Sequence, residues 1–131
     1  MKKQGVLNKS ISQLIAGMGH TDSMVVCDAG LPIPAGPQRI DLTVSCGIPS
    51  FLQTLEAVLS ELAVERAAVA EETRRNSPEL HEALLATLGD IPVEYIHHEE
   101  LKGRSSSAKG IVRTGECTPF ANVILYSGVV F

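Results

Sequence analysis

The sequence predicts an α/β fold: a single-domain, three-layer α/β sandwich around a mixed, substantially parallel sheet. Three observations carry this. The chain has 131 residues, which is one domain's worth, so residues 1–131 are read as one unit. Several apolar runs are short and wholly apolar, as in strands covered on both faces. The middle of the chain reads strand, helix, strand, helix, strand, the alternation that builds helix-covered parallel sheets.

The elements follow in order. Residues 8–18 form a short amphipathic helix, with Ile11, Leu14, Ile15 and Met18 on one side. Ser10 and Gln13 fit a capping box there. Met24 to Cys27 is a buried strand ended by Asp28-Ala29-Gly30. Residues 31–49 are irregular, broken by Pro32, Pro34, Pro37 and Pro49, and enclose a strand over 39–44. Residues 50–62 form the clearest helix. Ser50 and Gln53 make its capping box, and Leu52, Leu55, Leu59 and Leu62 share a stripe. Val64 to Ala70 reads as a strand. Glu71-Glu72 and Arg74-Arg75 read as a solvated junction. The helix over 77–88 has Ser77 as cap, Pro78 in its first position and Gly89 as its stop. His81 falls on its polar side and is expected in solvent. Pro92 to Ile96 is a strand, and a short helix follows near 99–101. Gly103-Arg104-Ser105-Ser106-Ser107 reads as a mobile loop. The last strands are 111–113 and 122–126.

Composition narrows the function. Hydrophobic residues make up 44% and charged residues 20%, which excludes a disordered chain. Aromatic residues are 4%, so the core is aliphatic. Eleven basic and fifteen acidic residues leave a net charge of −4, with no basic surplus for a phosphate backbone. Nucleic acid is therefore not an expected partner. No apolar run approaches the ~20 residues of a bilayer span, so no membrane partner is expected. Met1-Lys2-Lys3-Gln4-Gly5 lacks the apolar stretch of a signal peptide. Cys27, Cys46 and Cys117 cannot all pair and form no CxxC. They are read as free thiols in a reducing, cytoplasmic setting.

Few residues offer chemistry. His20, in Gly19-His20-Thr21-Asp22, exchanges protons near neutral pH if exposed, or else bonds the last carbonyls of a helix. Asp28 and His98 follow strands, where open α/β sheets gather ligands. Asp28 reads either as a turn residue or as a carboxylate accepting hydroxyl hydrogens from a polyol. Asn122 offers two donors and an acceptor, or simply opens a strand. His97 and His98 would point to opposite faces of a strand, and no HExxH or paired-cysteine pattern supports a metal. Cys27 and Cys46 lie in apolar surroundings, and Glu116 disfavours a thiolate at Cys117. No Gly-rich phosphate motif is present, so a nucleotide cofactor has no support. From the residues alone, a small neutral ligand and proton transfer are as far as the reading goes.

Three stretches together resemble a known family. Gly19-His20-Thr21-Asp22, Val26-Cys27-Asp28-Ala29-Gly30-Leu31-Pro32-Ile33-Pro34, and Gly115-Glu116-Cys117-Thr118-Pro119-Phe120-Ala121-Asn122 are similar to the sugar mutarotase family of ribose pyranases and fucose mutarotases. The similarity runs the length of the chain. It implies interconversion of the β-pyranose and β-furanose forms of D-ribose, in support of ribose uptake and phosphorylation. It implies no cofactor and no metal. It also implies homo-oligomers, pentameric rings stacked as a decamer, with the sugar bound close to subunit boundaries. The family's proton donor falls on His20, and its sugar-binding groups fall on Asp28, His98, Phe120, Ala121 and Asn122. The family's Tyr-Ala-Asn is Phe-Ala-Asn here, so residue 120 lacks a phenolic hydroxyl. A fucose or other aldose mutarotase, or a sugar-binding module without turnover, fits the same residues.

Overall fold

Eleven elements alternate along a computed structural model that describes residues 1–131. They are α1 (Lys9–Gly17), β1 (Ser23–Cys27), β2 (Gln38–Asp41), α2 (Phe51–Leu59), β3 (Val64–Ala70), α3 (Glu71–Asn76), α4 (Pro78–Leu88), β4 (Val93–Ile96), α5 (His98–Ser105), β5 (Gly110–Arg113) and β6 (Val123–Ser127). One six-stranded sheet runs β2-β5-β1-β6-β3-β4. β1 pairs parallel with β5, β2 with β5, and β3 with β4. β6 is inserted antiparallel between β1 and β3. The sheet is thus mixed and mostly parallel, as expected.

Alternation along the strands divides the core between two faces. Met24, Val26, Val69, Val123 and Leu125 meet α1, α2 and α4 through Leu14, Phe51, Leu55 and Leu84. Val25, Cys27, Ala68, Ala70 and Ile124 meet Leu101 of α5, Ala108 and Leu31. β1 is buried at all five positions, which is why its sequence shows no polar face. Gly110 is a packing requirement: a Cβ there would stand 2.5 Å from Leu14 Cδ2.

The Ser50–Gln53 capping box of α2 is present in both directions. At α1 the cap is Asn8, whose side chain accepts from Ile11 N, and not Ser10. The 71–76 junction is a helical turn, because Glu71 and Glu72 suit its first turn and Arg74 and Arg75 its last. Ser77 stands at the N-cap of α4 but donates to Pro119 O at 2.7 Å. His81 is buried: the Tyr95 hydroxyl lies 2.6 Å from its Nε2, which satisfies the ring. Residues 103–105 continue α5, with Ser105 fully buried and donating to Leu101 O.

The cysteines also correct the reading. Cys46 and Cys117 are disulfide-paired, Cα atoms 5.8 Å apart, and only Cys27 is free. Their loops are stitched beside the pair. Gly47 N donates to Gly115 O at 2.6 Å, and Gly115 N donates to Pro49 O at 2.9 Å. Such loop-to-loop contacts are invisible in the spacing of three cysteines.

Candidate functional site

The carboxyl ends of β1, β3 and β4 and the start of β6 converge at one end of the sheet. Asp28 leaves β1 there. Its amide N–H donates to Asn122 Oδ1 at 3.0 Å, and Asn122 Nδ2 donates to Asp28 Oδ2 at 3.0 Å. Asn122 is fully buried, so its amide orientation is set by Asp28. Gly30 N donates to Asp28 Oδ1 at 2.9 Å, closing a turn. The turn reading of Asp28 therefore holds, and each of its carboxylate oxygens keeps lone-pair capacity beyond the one bond it accepts.

Phe120 sits beside this pair in a left-handed conformation, φ 61°. Its carbonyl accepts Thr73 Oγ1 at 2.7 Å and Asn122 N at 2.9 Å. The backbone acceptor of residue 120 is thus engaged by the fold. Ala121 is fully buried and serves packing. The His98 ring meets the Phe120 ring edge-on, centroids 5.0 Å apart. His98 Nδ1 is buried without a protein partner. His97 and His98 do not lie on a strand: His97 caps α5 and His98 opens it.

Two groups of this end went unread in the sequence. Glu72 Oε2 accepts His98 N at 2.9 Å and so anchors the start of α5. Burial opposes its ionisation. Backbone N–H groups of Glu72 and His98, with the His97 and His98 imidazoles, outweigh that and hold its carboxyl below the usual range. The signal was available, since Glu72 lies two residues past the end of β3, close to the strand-end position that Asp28 holds after β1. Glu116 is the other. Its carboxylate accepts Phe51 N at 3.0 Å and Thr118 Oγ1 at 2.9 Å, and its carbonyl accepts Ala29 N at 2.9 Å. A cavity of about 380 Å³ opens here, lined by Asp28, Ala29, Gly30, Glu116, Cys117, Thr118 and Pro119. Below it Cys27 is inert: burial, then the Asp28 charge, pushes its thiol up to about 12.

His20 is not among these residues. It precedes β1, whereas Asp28 follows it. Five strand residues at about 3.3 Å each place the two roughly 16 Å apart. Thr21, at φ 70°, turns the backbone after His20, and Thr21 N donates to Ser127 O at 2.9 Å. His20 Nε2 lies 2.8 Å from Glu65 Oε2, and the ring is about half exposed. It lines a separate cavity of about 480 Å³ with Met18, Leu62, Gly128 and Val130.

The chain matches the RbsD / FucU transport protein family over residues 1–130. A D-ribose pyranase of Actinobacillus pleuropneumoniae serotype 7 (strain AP76) is 52% identical, with 100% of both chains covered. One from Geobacillus thermodenitrificans (strain NG80-2) is 48% identical over 100% of this chain and 99% of the other. The structure of Bacillus subtilis RbsD complexed with D-ribose is similar at TM-score 0.97 and 42% identity, covering 100% of both chains. The fucose mutarotase from Streptococcus pneumoniae in complex with L-fucose is similar at TM-score 0.74 and 22% identity, with 95% of each chain covered; that likeness concerns the fold.

Proposed function

The chain belongs to the RbsD / FucU transport protein family, and from that premise we propose that it interconverts the β-pyranose and β-furanose forms of D-ribose. The observation that carries this reading is the whole-chain likeness, at 42% identity, to a structure complexed with D-ribose. Fucose is less favoured, because the fucose-bound relative shares 22% of its residues.

The reaction is acid–base chemistry and balances without redox. A proton is delivered to the ring oxygen of the pyranose while the anomeric hydroxyl loses one. The bond from C1 to the ring oxygen breaks and leaves an open-chain aldehyde. Another hydroxyl then attacks C1, gives up its proton, and the aldehyde oxygen regains one. A group that titrates near the working pH serves both directions. His20 as imidazolium is the acid. His98 or a water takes the opposite proton. Asp28 and Asn122 hold hydroxyls so the open chain stays placed for reclosure. The Phe120 ring offers an apolar face beside them.

One chain does not bring these groups together. A pentose cannot bridge the roughly 16 Å between the two ends of β1. The working site therefore draws His20 from one copy and Asp28, His98, Phe120, Ala121 and Asn122 from another. This supports a homo-oligomer, and the ring arrangement of pentamers stacked as a decamer is the assembly we assign. Val44, Ile48 and Val130 are exposed apolar residues of the kind such an interface covers. The catalytic domain spans residues 1–131, and we place it in the cytoplasm, where imported ribose meets its kinase.

The test is saturation-transfer NMR on D-ribose, from the β-pyranose to the β-furanose anomeric proton. Intact protein accelerates the exchange, and His20→Ala abolishes the acceleration. Binding without acceleration would overturn the pyranase reading in favour of a sugar-binding module.

A further inference from the structure

We infer that Glu65 is a positioning residue for His20: it orients the ring and fixes which nitrogen exchanges protons with the sugar. This rests on the reading of His20 as the acid. Two backbone irregularities bring the pair together. β3 and β6 pair Val64 with Ser127 and Arg66 with Tyr126, so Glu65 is an extra residue, a bulge in β3. Bulges re-aim a side chain out of the regular alternation. Here Val64 is half-buried while Glu65 and Arg66 are both exposed, which breaks the two-residue period. On the neighbouring segment, Thr21 adopts the left-handed conformation and presents His20. The turn is held by Gly19 N donating to Asp22 Oδ2 at 2.9 Å and by Ser127 N donating to Asp22 O at 2.8 Å. Gly128 lies between, where a Cβ would come within 3.3 Å of Glu65 Cβ. The two side chains meet at 2.8 Å.

The chemistry follows from the inventory of donors. A carboxylate only accepts, so His20 Nε2 carries the hydrogen. Nδ1 is then the nitrogen that gains and loses a proton against the sugar. The other charged groups facing this end are committed elsewhere. Glu61 accepts from Lys2 Nζ and Val6 N. Asp22 bonds Gly19 N and pairs with Lys109 at 3.8 Å.

The experiment compares Glu65→Ala, Glu65→Gln and His20→Ala by the same NMR exchange assay, with KM and kcat separated. Glu65→Ala lowers kcat by about tenfold, a fraction of the 10²–10⁴-fold of a positioned acid, with KM unchanged. Glu65→Gln recovers part of the rate, because its amide oxygen still accepts from Nε2. In a His20→Ala background the Glu65 substitutions change nothing further. Intact kcat in Glu65→Ala, or added loss of ribose binding in the His20→Ala background, would overturn the assignment. Full turnover by His20→Ala alone would instead overturn the reading of His20.

Discussion

Asn122 and Asp28, 94 residues apart in sequence, exchange two hydrogen bonds of 3.0 Å across the ends of neighbouring strands. One joins the Asp28 backbone to the Asn122 side chain, and the other joins the two side chains. Asn122 thus fixes both where Asp28 stands and how its carboxylate is turned. Removing it leaves a donor unpaired in the interior. Asn122→Ala is predicted to cost about 2–3 kcal/mol, read as a lower urea midpoint. Asn122→Asp keeps an acceptor for Asp28 N but sets a second carboxylate against the first. Ribose binding falls in both variants, and falls in Asn122→Asp even where the fold is intact by circular dichroism.

Glu72 bears on the site through His98. Its carboxyl sits below the usual carboxylate range. The sign of the pH effect follows. A depressed carboxylate stabilises the fold above its unfolded value near 4.5, and that stabilisation is lost as pH falls through the lower folded value. Thermal melting between pH 6 and 3 should show a smaller acid loss for Glu72→Gln than for the intact chain. Glu72→Ala, which also frees His98 N, raises KM for ribose by about tenfold with a smaller change in kcat.

Much of the sheet was legible because β1 and β3 announce themselves as short apolar runs, and α2 carries a complete capping box. The carboxyl-end rule pointed to Asp28 and His98, residue chemistry marked His20 and Asn122 as candidates, and the resemblance added Phe120 and Ala121 and a proton-donor role for His20. What was not legible needed tertiary contact. Nothing in the spacing of His81 says that Tyr95 waits to bond it. Glu72 looked like one charge in a solvated run until α5 was seen to begin above it. The separation of His20 from Asp28 could have been read, since a buried strand lies between them, yet shared family membership drew them into one site.

The thiols separate by accessibility. Cys27 is fully buried and its thiol is pushed up from 9.0 to about 12. Native protein without reductant should show no reactive thiol. Unfolded without reductant it should show one, and with reductant three, by thiol titration. Because the Cys27 thiol stays protonated in the fold but ionises near 9.0 when unfolded, stability falls above that pH. The slope is about 1.4 kcal/mol per pH unit until about 12. Cys27→Ala removes that alkaline loss in urea titrations at pH 8 and 10.5.

The shared site is tested most directly by mixing two dead subunits. His20→Ala supplies an intact Asp28, and Asp28→Ala supplies an intact His20. Each alone should fail to accelerate β-pyranose to β-furanose exchange of D-ribose. Unfolded together in equal amounts and refolded, the proposed assembly would be mixed, and about a quarter of its sites would carry both groups. Recovery of about a quarter of the intact rate is the predicted result. No recovery, with mixed oligomers present by native mass spectrometry, would contradict a site built from two copies.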